Sequence, residues 1–105
     1  MAQFDIYENP NTDTAQLIPY FLDVQSNLLS DLSTRVVVPL CRPEAVDGKP
    51  MARLTPSFQI RGKPYVLLTP ELAGLPLKEL GGRVTNLARA RDEIIAALDL
   101  LFTGI

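Results

Sequence analysis

An acid and an arginine placed for contact across neighbouring strands are the residues of this sequence best suited to chemistry. Asp23 ends one apolar run and Arg35 begins the next, so pairing of two strands would bring the side chains together. Such a pair can bind phosphate or assist a phosphoryl transfer. A plain salt bridge across a half-exposed sheet needs the same two residues and is the commoner outcome. The pair alone therefore predicts no active site.

Other catalytic residue types are scarce. The sequence has one cysteine, Cys41, and no histidine. A catalytic thiolate needs a base or a cation beside it, and zinc catalysis, Ser-His-Asp chemistry and most proton transfer near neutral pH use imidazole. We therefore expect no enzyme activity, no metal and no cofactor, and a Cys41 that packs as a small residue at a strand end.

The charged residues limit the class of partner. Ten Lys and Arg against 12 Asp and Glu give a formal net charge of −2, which argues against a protein that binds by neutralising phosphates. Arg83, Arg89 and Arg91 form a weak basic cluster flanked by acids, typical of a solvated surface. Asp92 and Asp99 lie two helical turns apart, too far to share a proton. No direct nucleic-acid binding is expected.

The elements that position these residues are predicted to be short strands followed by one helix. Alternating or β-branched runs predict strands, and Arg61-Gly62-Lys63-Pro64 predicts a hairpin turn. The predicted strands cover residues 3–7, 19–24, 34–41, 57–60, 65–69 and 75–80. Residues 9–14 and 42–50 are rich in turn formers and predict two long loops. Gly81-Gly82 then breaks the chain.

A C-terminal helix is predicted over residues 87–102, which contain no Gly or Pro. Its apolar stripe has helical spacing and consists of Ile94, Ile95, Leu98, Leu101 and Phe102. Thr85 or Asn86 is expected to cap its start, and Gly104 to end it. After the helix, an apolar residue with a free carboxylate is suited to a groove on another protein, although a frayed terminus is an equal alternative.

A chain of 105 residues with 47% hydrophobic content has the size of one domain, residues 1–105. Its apolar runs are far shorter than the roughly 20 residues that span a bilayer. The first residues lack a basic stretch followed by an apolar block, so no signal peptide is predicted. We expect no membrane association and a cytoplasmic location.

The sequence resembles the CcdB family of gyrase-poisoning toxins over nearly its whole length. The matching segments are residues 3–7, 21–29, 35–40, 69–76 and 92–105. Within them, Asp-Val-Gln-Ser at 23–26 and the Gly-Ile ending at 104–105 are specific in combination. The resemblance implies an SH3-like barrel or strongly bent antiparallel sheet with one C-terminal helix, and a homodimer with its terminal helices near the twofold axis.

The resemblance also implies partners and a mechanism. Toxins of this family bind the dimerisation region of the DNA gyrase A subunit while gyrase holds cleaved DNA, which blocks religation without catalysis by the toxin. A partly disordered CcdA-like antitoxin neutralises them, and the two long loops are suggested to border its path. The implied gyrase-binding residues here are Leu28, Leu29, Asp99, Phe102, Thr103, Gly104 and Ile105. Core packing remains the alternative for the two leucines and Phe102.

One residue departs from the family pattern. Well-known members carry a tryptophan where this sequence has Thr103, so a cation–π contact of roughly 1–2 kcal/mol would be absent. Two other readings stay open. The related MazF and Kid toxins share the barrel and cleave RNA, and Asp23 and Arg35 would then be the residues under suspicion. A degenerate member that keeps the fold but no longer poisons gyrase is the third.

Overall fold

The computed structural model describes residues 1–46, 48 and 51–104. In that part of the chain seven strands precede one helix, whereas the sequence predicts six strands before the helix. They are β1 (Asp5–Glu8), β2 (Tyr20–Asp23), β3 (Thr34–Cys41), β4 (Ser57–Ile60), β5 (Lys63–Leu67), β6 (Ala73–Pro76), β7 (Arg83–Asn86) and α1 (Arg91–Thr103). The fold is therefore mainly β with a C-terminal helix.

The strands form one antiparallel sheet in the order β4-β5-β3-β2-β1-β7, with β6 also paired to β3. The long strand β3 is shared between two partners. Its first half pairs with β6, starting at Thr34 opposite Pro76, and its last residues, Leu40 and Cys41, pair with β5. Because one strand cannot lie flat beside two partners on the same side, the sheet curls into a half-barrel. This confirms the strongly bent sheet.

The hydrophobic core fills the concave face of the sheet and is closed by α1. Ile6, Leu22 and Val38 come from the three central strands and are fully buried, and Ile94 of α1 joins them. Burial of a side chain of this size contributes about 1.5–3 kcal/mol. The helix itself packs chiefly against two short 3-10 turns, Thr69–Glu71 and Ala88–Ala90. The core thus fixes the start and middle of α1.

Polar side chains are buried on the opposite face of the sheet. Asp5 accepts hydrogen bonds from Tyr7 Oη (3.1 Å), Arg83 Nε (2.9 Å) and Asn86 Nδ2 (2.9 Å). Burial alone would raise the pKa of Asp5, but these bonds and one from the Ala2 N–H outweigh it and hold the pKa below its ordinary value. Burial and the bond to Asp5 raise the pKa of Tyr7 to about 12. The cluster joins β1 to β7.

The ends of the helix are partly as predicted. Asn86 Oδ1 accepts a 2.7 Å bond from the Ala88 N–H, in the 3-10 turn Ala88–Ala90 that precedes the helix. The N-cap of α1 is Ala90, which has no side-chain cap bond, so the predicted cap by Thr85 or Asn86 is wrong. The α-helix therefore begins at Arg91 rather than at residue 87. Gly104 ends it with φ 75° and a 3.0 Å bond from its N–H to the Leu100 carbonyl. A left-handed residue here is the expected role of glycine.

Three strand predictions are corrected. Strand β7 was missed because its Val-Thr-Asn sequence was interpreted as the approach to a helix. The strand predicted at 75–80 is β6, four residues long, and is followed by a 3-10 turn at Leu77–Glu79. The hairpin is confirmed, with both Arg61 (φ 51°) and Gly62 (φ 80°) left-handed, but β5 begins at Lys63 instead of residue 65.

The structure also shows contacts of the predicted basic cluster, which consists of Arg83, Arg89 and Arg91. Arg83 bonds Asp5, and Arg91 lies 5.8 Å from the centre of the Phe4 ring. Two of its three arginines therefore have separate structural partners.

Within the described residues, no helix has both the length and the apolar character needed to cross a membrane.

Candidate partner-binding surface

The turn after β2 exposes large apolar side chains. Leu28 is 94% exposed and Leu29 is 50% exposed, and Leu32 is exposed as well. A 3-10 turn spans Asn27–Leu29, with the Ser26 Oγ accepting a 3.1 Å bond from the Leu28 N–H. Contiguous apolar exposure of this kind marks interaction surfaces rather than the bulk of a protein surface. The core-packing alternative is therefore wrong for Leu28 and Leu29.

The same turn is tied to the start of the chain. Asn27 Oδ1 accepts a 2.7 Å bond from the Gln3 N–H, and Gln3 Nε2 donates to the Val24 carbonyl at 3.1 Å. The exposed leucines therefore stand on a turn whose backbone is hydrogen bonded to the body of the protein. We call residues 26–30 the leucine turn below.

The C-terminal end of α1 carries the second exposed group. Phe102 is 67% exposed, although the helical stripe in the sequence placed it with the core residues. Asp99 and Thr103 are exposed too, and the Thr103 hydroxyl donates a 2.7 Å bond to the Asp99 carbonyl. The helix residues that are buried in the core are Ile94 and Ala97, and Phe102 is not among them. Ile105 lies outside the described residues.

The two exposed groups lie on elements that are not each other's main packing partners. The main contacts of α1 are with the Thr69–Glu71 and Ala88–Ala90 turns, and the leucine turn is not among them. Within one chain, the structure therefore presents two separate apolar features, the leucine turn and the end of α1. A single partner that contacts both would have to bridge them.

The Asp23–Arg35 pair is present but deeply buried. Arg35 Nε and Nη2 lie 2.8 and 2.7 Å from Asp23 Oδ2, and both side chains are 0% exposed. The expectation of a half-exposed pair is therefore wrong, because both faces of the curled sheet are covered. Burial raises the pKa of Asp23, and the hydrogen bond from Arg35 opposes that rise without cancelling it. The guanidinium cannot reach a substrate in this conformation.

Cys41 is buried at the end of β3, as predicted. Burial raises the pKa of its thiol, so the nucleophilic thiolate is disfavoured. The part of the chain that the structure describes holds no group of three or more His, Cys, Asp or Glu side chains arranged for a metal ion.

Sequence reasoning missed two contributors to this surface. Leu32 extends the apolar exposure next to the leucine turn, and the nearly buried Gln25 supports the turn from below through a hydrogen bond to the Leu29 carbonyl. The available signal was three leucines in a short segment of Ser, Asn and Asp residues, which are turn formers.

Comparison with known proteins agrees with this fold. One solved structure, described as an endoribonuclease in complex with its cognate antitoxin from a mycobacterial species, superposes with a TM-score of 0.75 at 14% sequence identity. The match covers 96% of this chain and 93% of that one. At this identity the likeness shows a shared fold only. A family model described as CcdB protein matches residues 3–104, and the chain therefore belongs to the CcdB family, whose members are toxins of toxin–antitoxin systems.

Proposed function

We propose that the protein is a toxin that binds the DNA gyrase A subunit and holds it in its DNA-cleaved state, with no catalytic step of its own. The supporting observation is the exposure of Leu28, Leu29 and Phe102, the large apolar residues that the structure describes at positions assigned to gyrase contact by the family resemblance. Exposed apolar side chains grouped on one turn, as Leu28 and Leu29 are, mark an interaction site more than single exposed leucines do.

Trapping requires binding and nothing more. A ligand shifts an equilibrium only by its differential affinity for the two states, so a toxin that prefers the cleaved gyrase–DNA complex raises that population and slows religation. A 10⁴-fold preference, about 5.5 kcal/mol, is enough to move a population from about 1% to about 99%. A few well-buried aromatic and apolar anchors can supply energies of that order. This fits a sequence without histidine.

Thr103 lowers the expected affinity for the gyrase A subunit. Its hydroxyl is bonded to the Asp99 carbonyl within the helix, and a threonine has no aromatic ring on which a guanidinium could stack. The missing cation–π contact would weaken binding by roughly 1–2 kcal/mol, or about 5- to 30-fold. Thr103→Trp is therefore expected to increase affinity for gyrase.

The decisive experiment incubates purified gyrase, supercoiled DNA and ATP with the protein. Linear DNA is expected to accumulate as protein is added. Leu28→Ser should reduce that accumulation, whereas Leu17→Ser, a matched change at another exposed leucine, should not. No linear DNA at saturating protein would contradict gyrase poisoning and leave the degenerate reading. Equal effects of the two substitutions would contradict the role of the leucine turn.

An antitoxin and a second copy of the chain are the other proposed partners. The similar solved structure is a toxin with its cognate antitoxin bound, which supports a fold that offers such a partner a surface. Co-expression with the product of a neighbouring short acidic reading frame should restore growth. Size-exclusion chromatography with light scattering should give twice the chain mass of 11.6 kDa.

A ribonuclease is the second candidate, because the similar structure contains an endoribonuclease. Against it stands the burial of both Asp23 and Arg35, the residues suspected for that chemistry. The purified protein is expected to leave single-stranded RNA intact. Cleavage that co-purifies with the protein and is blocked by the antitoxin would favour the ribonuclease.

A further inference from the structure

Gln25 follows β2 and is nearly buried, with its backbone held on the buried ion pair. Its N–H donates a 3.0 Å bond to Asp23 Oδ1, and its carbonyl accepts a 3.4 Å bond from Arg35 Nη2. Through these two bonds, the buried side chains of Asp23 and Arg35 contact the backbone of Gln25, which directly precedes the leucine turn. The backbone of Gln25 is therefore fixed to the sheet.

The side chain of Gln25 extends that connection to the turn. Its Oε1 accepts a 2.9 Å bond from the Val36 N–H on β3, and its Nε2 donates a 2.9 Å bond to the Leu29 carbonyl. The amide thus joins a buried strand to the last residue of the 3-10 turn. Both ends of its hydrogen-bonding capacity are used, one toward the sheet and one toward the surface.

The leucine turn is held by hydrogen bonds more than by packing. Leu28 is 94% exposed, so packing contributes almost nothing to its position. Besides the bond from Gln25, the turn has its own bonds from the Leu28 N–H to Ser26 Oγ, from the Leu29 N–H to the Ser26 carbonyl and from the Ser30 N–H to the Asn27 carbonyl, and one bond from the Gln3 N–H to Asn27 Oδ1. An exposed turn held mainly by hydrogen bonds loses order when one of them is removed.

We propose that Gln25 is a positioning residue, which fixes the leucine turn on the sheet and so presents Leu28 and Leu29 to the partner in one conformation. The binding consequence rests on the proposed function, whereas the ordering of the turn does not. Preorganisation of this kind raises affinity by lowering the entropy that is lost when the complex forms.

The first test measures order in the free protein. Gln25→Met keeps the side-chain length and removes both amide bonds, and Gln59→Met is the matched control at an exposed glutamine on β4. NMR backbone order parameters of Leu28 and Leu29 should fall from about 0.85 to below about 0.6, with Leu22 and Val38 unchanged. An unchanged turn, or an equal fall across the sheet, would overturn the proposal.

A second variant protects this test against misfolding. Gln25→Asn keeps a neutral amide but is one methylene shorter, so it cannot reach both the Val36 N–H and the Leu29 carbonyl. It should loosen the turn as Gln25→Met does. If Gln25→Met fails to fold, this comparison decides the matter, because a rigid turn in Gln25→Asn contradicts the proposal.

The second test is a double-mutant cycle with Leu28→Ser, read as affinity for the gyrase A subunit. Gln25→Met should weaken binding about tenfold in the wild-type background and less than twofold with Leu28→Ser, because it acts through the leucines. An equal loss in both backgrounds would show that Gln25 acts through general stability and would overturn the proposal. Failure of the wild-type protein to bind gyrase would contradict the proposed function, and the order parameters would still decide the role of Gln25.

Discussion

Replacing Arg35 by methionine is expected to destabilise the fold strongly, because Arg35 is a structural partner of Asp23. The change removes both contacts to Asp23 Oδ2, at 2.8 and 2.7 Å, and leaves a 0% exposed carboxylate with the Gln25 N–H as its remaining side-chain bond. Breaking a buried pair in this way costs about 3–5 kcal/mol. A domain of this size has about 5–15 kcal/mol of stability in all.

The assay is thermal and urea unfolding of the single and double variants. At about 4–8 °C per kcal/mol for domains of 60–100 residues, Arg35→Met should lower Tm by roughly 12–40 °C. Asp23→Leu combined with Arg35→Met should recover most of that loss, because no uncompensated charge stays buried. The double variant thus separates loss of a charge partner from loss of side-chain volume.

The pH dependence gives an independent check on the same variant. Burial already raises the pKa of Asp23, and Arg35 opposes the rise, so its removal should raise that pKa further. The folded state would then bind more protons than the unfolded state between the ordinary and the raised pKa. Arg35→Met should therefore lose stability as pH rises through that window.

Two results would refute this reasoning. One is an unchanged urea midpoint for Arg35→Met, which would mean that the pair is not buried in solution. The other is a double variant less stable than the single one. A stable Arg35→Met protein that had lost ribonuclease activity would instead favour the ribonuclease reading.

Three further predictions follow from the surface and the β1–β7 cluster. Phe102→Ala should reduce gyrase poisoning but change the free energy of unfolding by less than about 0.5 kcal/mol, because Phe102 is exposed. Ile94→Ala, at a buried residue, should lower the free energy of unfolding by about 2–5 kcal/mol. Similar unfolding midpoints for the two variants would contradict the exposure of Phe102. Removal of residues 103–105 should abolish toxicity with little change in Tm, and a truncated protein that still kills cells would refute the C-terminal contact. The pKa of Asp5 lies below the ordinary 3.8, so the ionised Asp5 should stabilise the fold above that pH and lose this effect as pH falls through the folded-state pKa. The difference in Tm between the wild type and Asp5→Asn should therefore shrink in acid. A difference that does not change with pH would contradict this prediction.

Local pattern predicted most of the strands because their residues are packed as their spacing implies. Alternation in β1 and the β-branched run in β3 correspond to strands in the structure. Strand β7 was missed because it depends on pairing with β1, its neighbour at the end of the described sheet and far away in sequence. Gly81 belongs to the same long-range fit, since a Cβ there would lie 2.8 Å from the Glu8 carbonyl oxygen. Such contacts leave no periodic signal.

The candidate surface was predictable in composition but not in exposure. The resemblance named Leu28 and Phe102, yet residue type alone favoured burial for both. Their exposure follows from the reach of the core, which packs on α1 at Ile94 and Ala97, and from a turn that leaves the sheet after Asp23. The burial of the charged Arg35 was not predictable either, because a sequence does not show that both faces of the sheet will be covered.

The pairing of β1 with β7 also sets the order in which the protein can mature. Between Glu8 and Arg83 lie 74 residues (83 − 8 − 1), which a ribosome adds in about 4–15 s at roughly 5–20 residues per second. Throughout that interval the emerged β1 has an unpaired edge, and Asp5 has neither Arg83 nor Asn86 to bond. Open strand edges are sites of association between chains. Nascent fragments that stop short of β7 are therefore expected to aggregate or to need a chaperone.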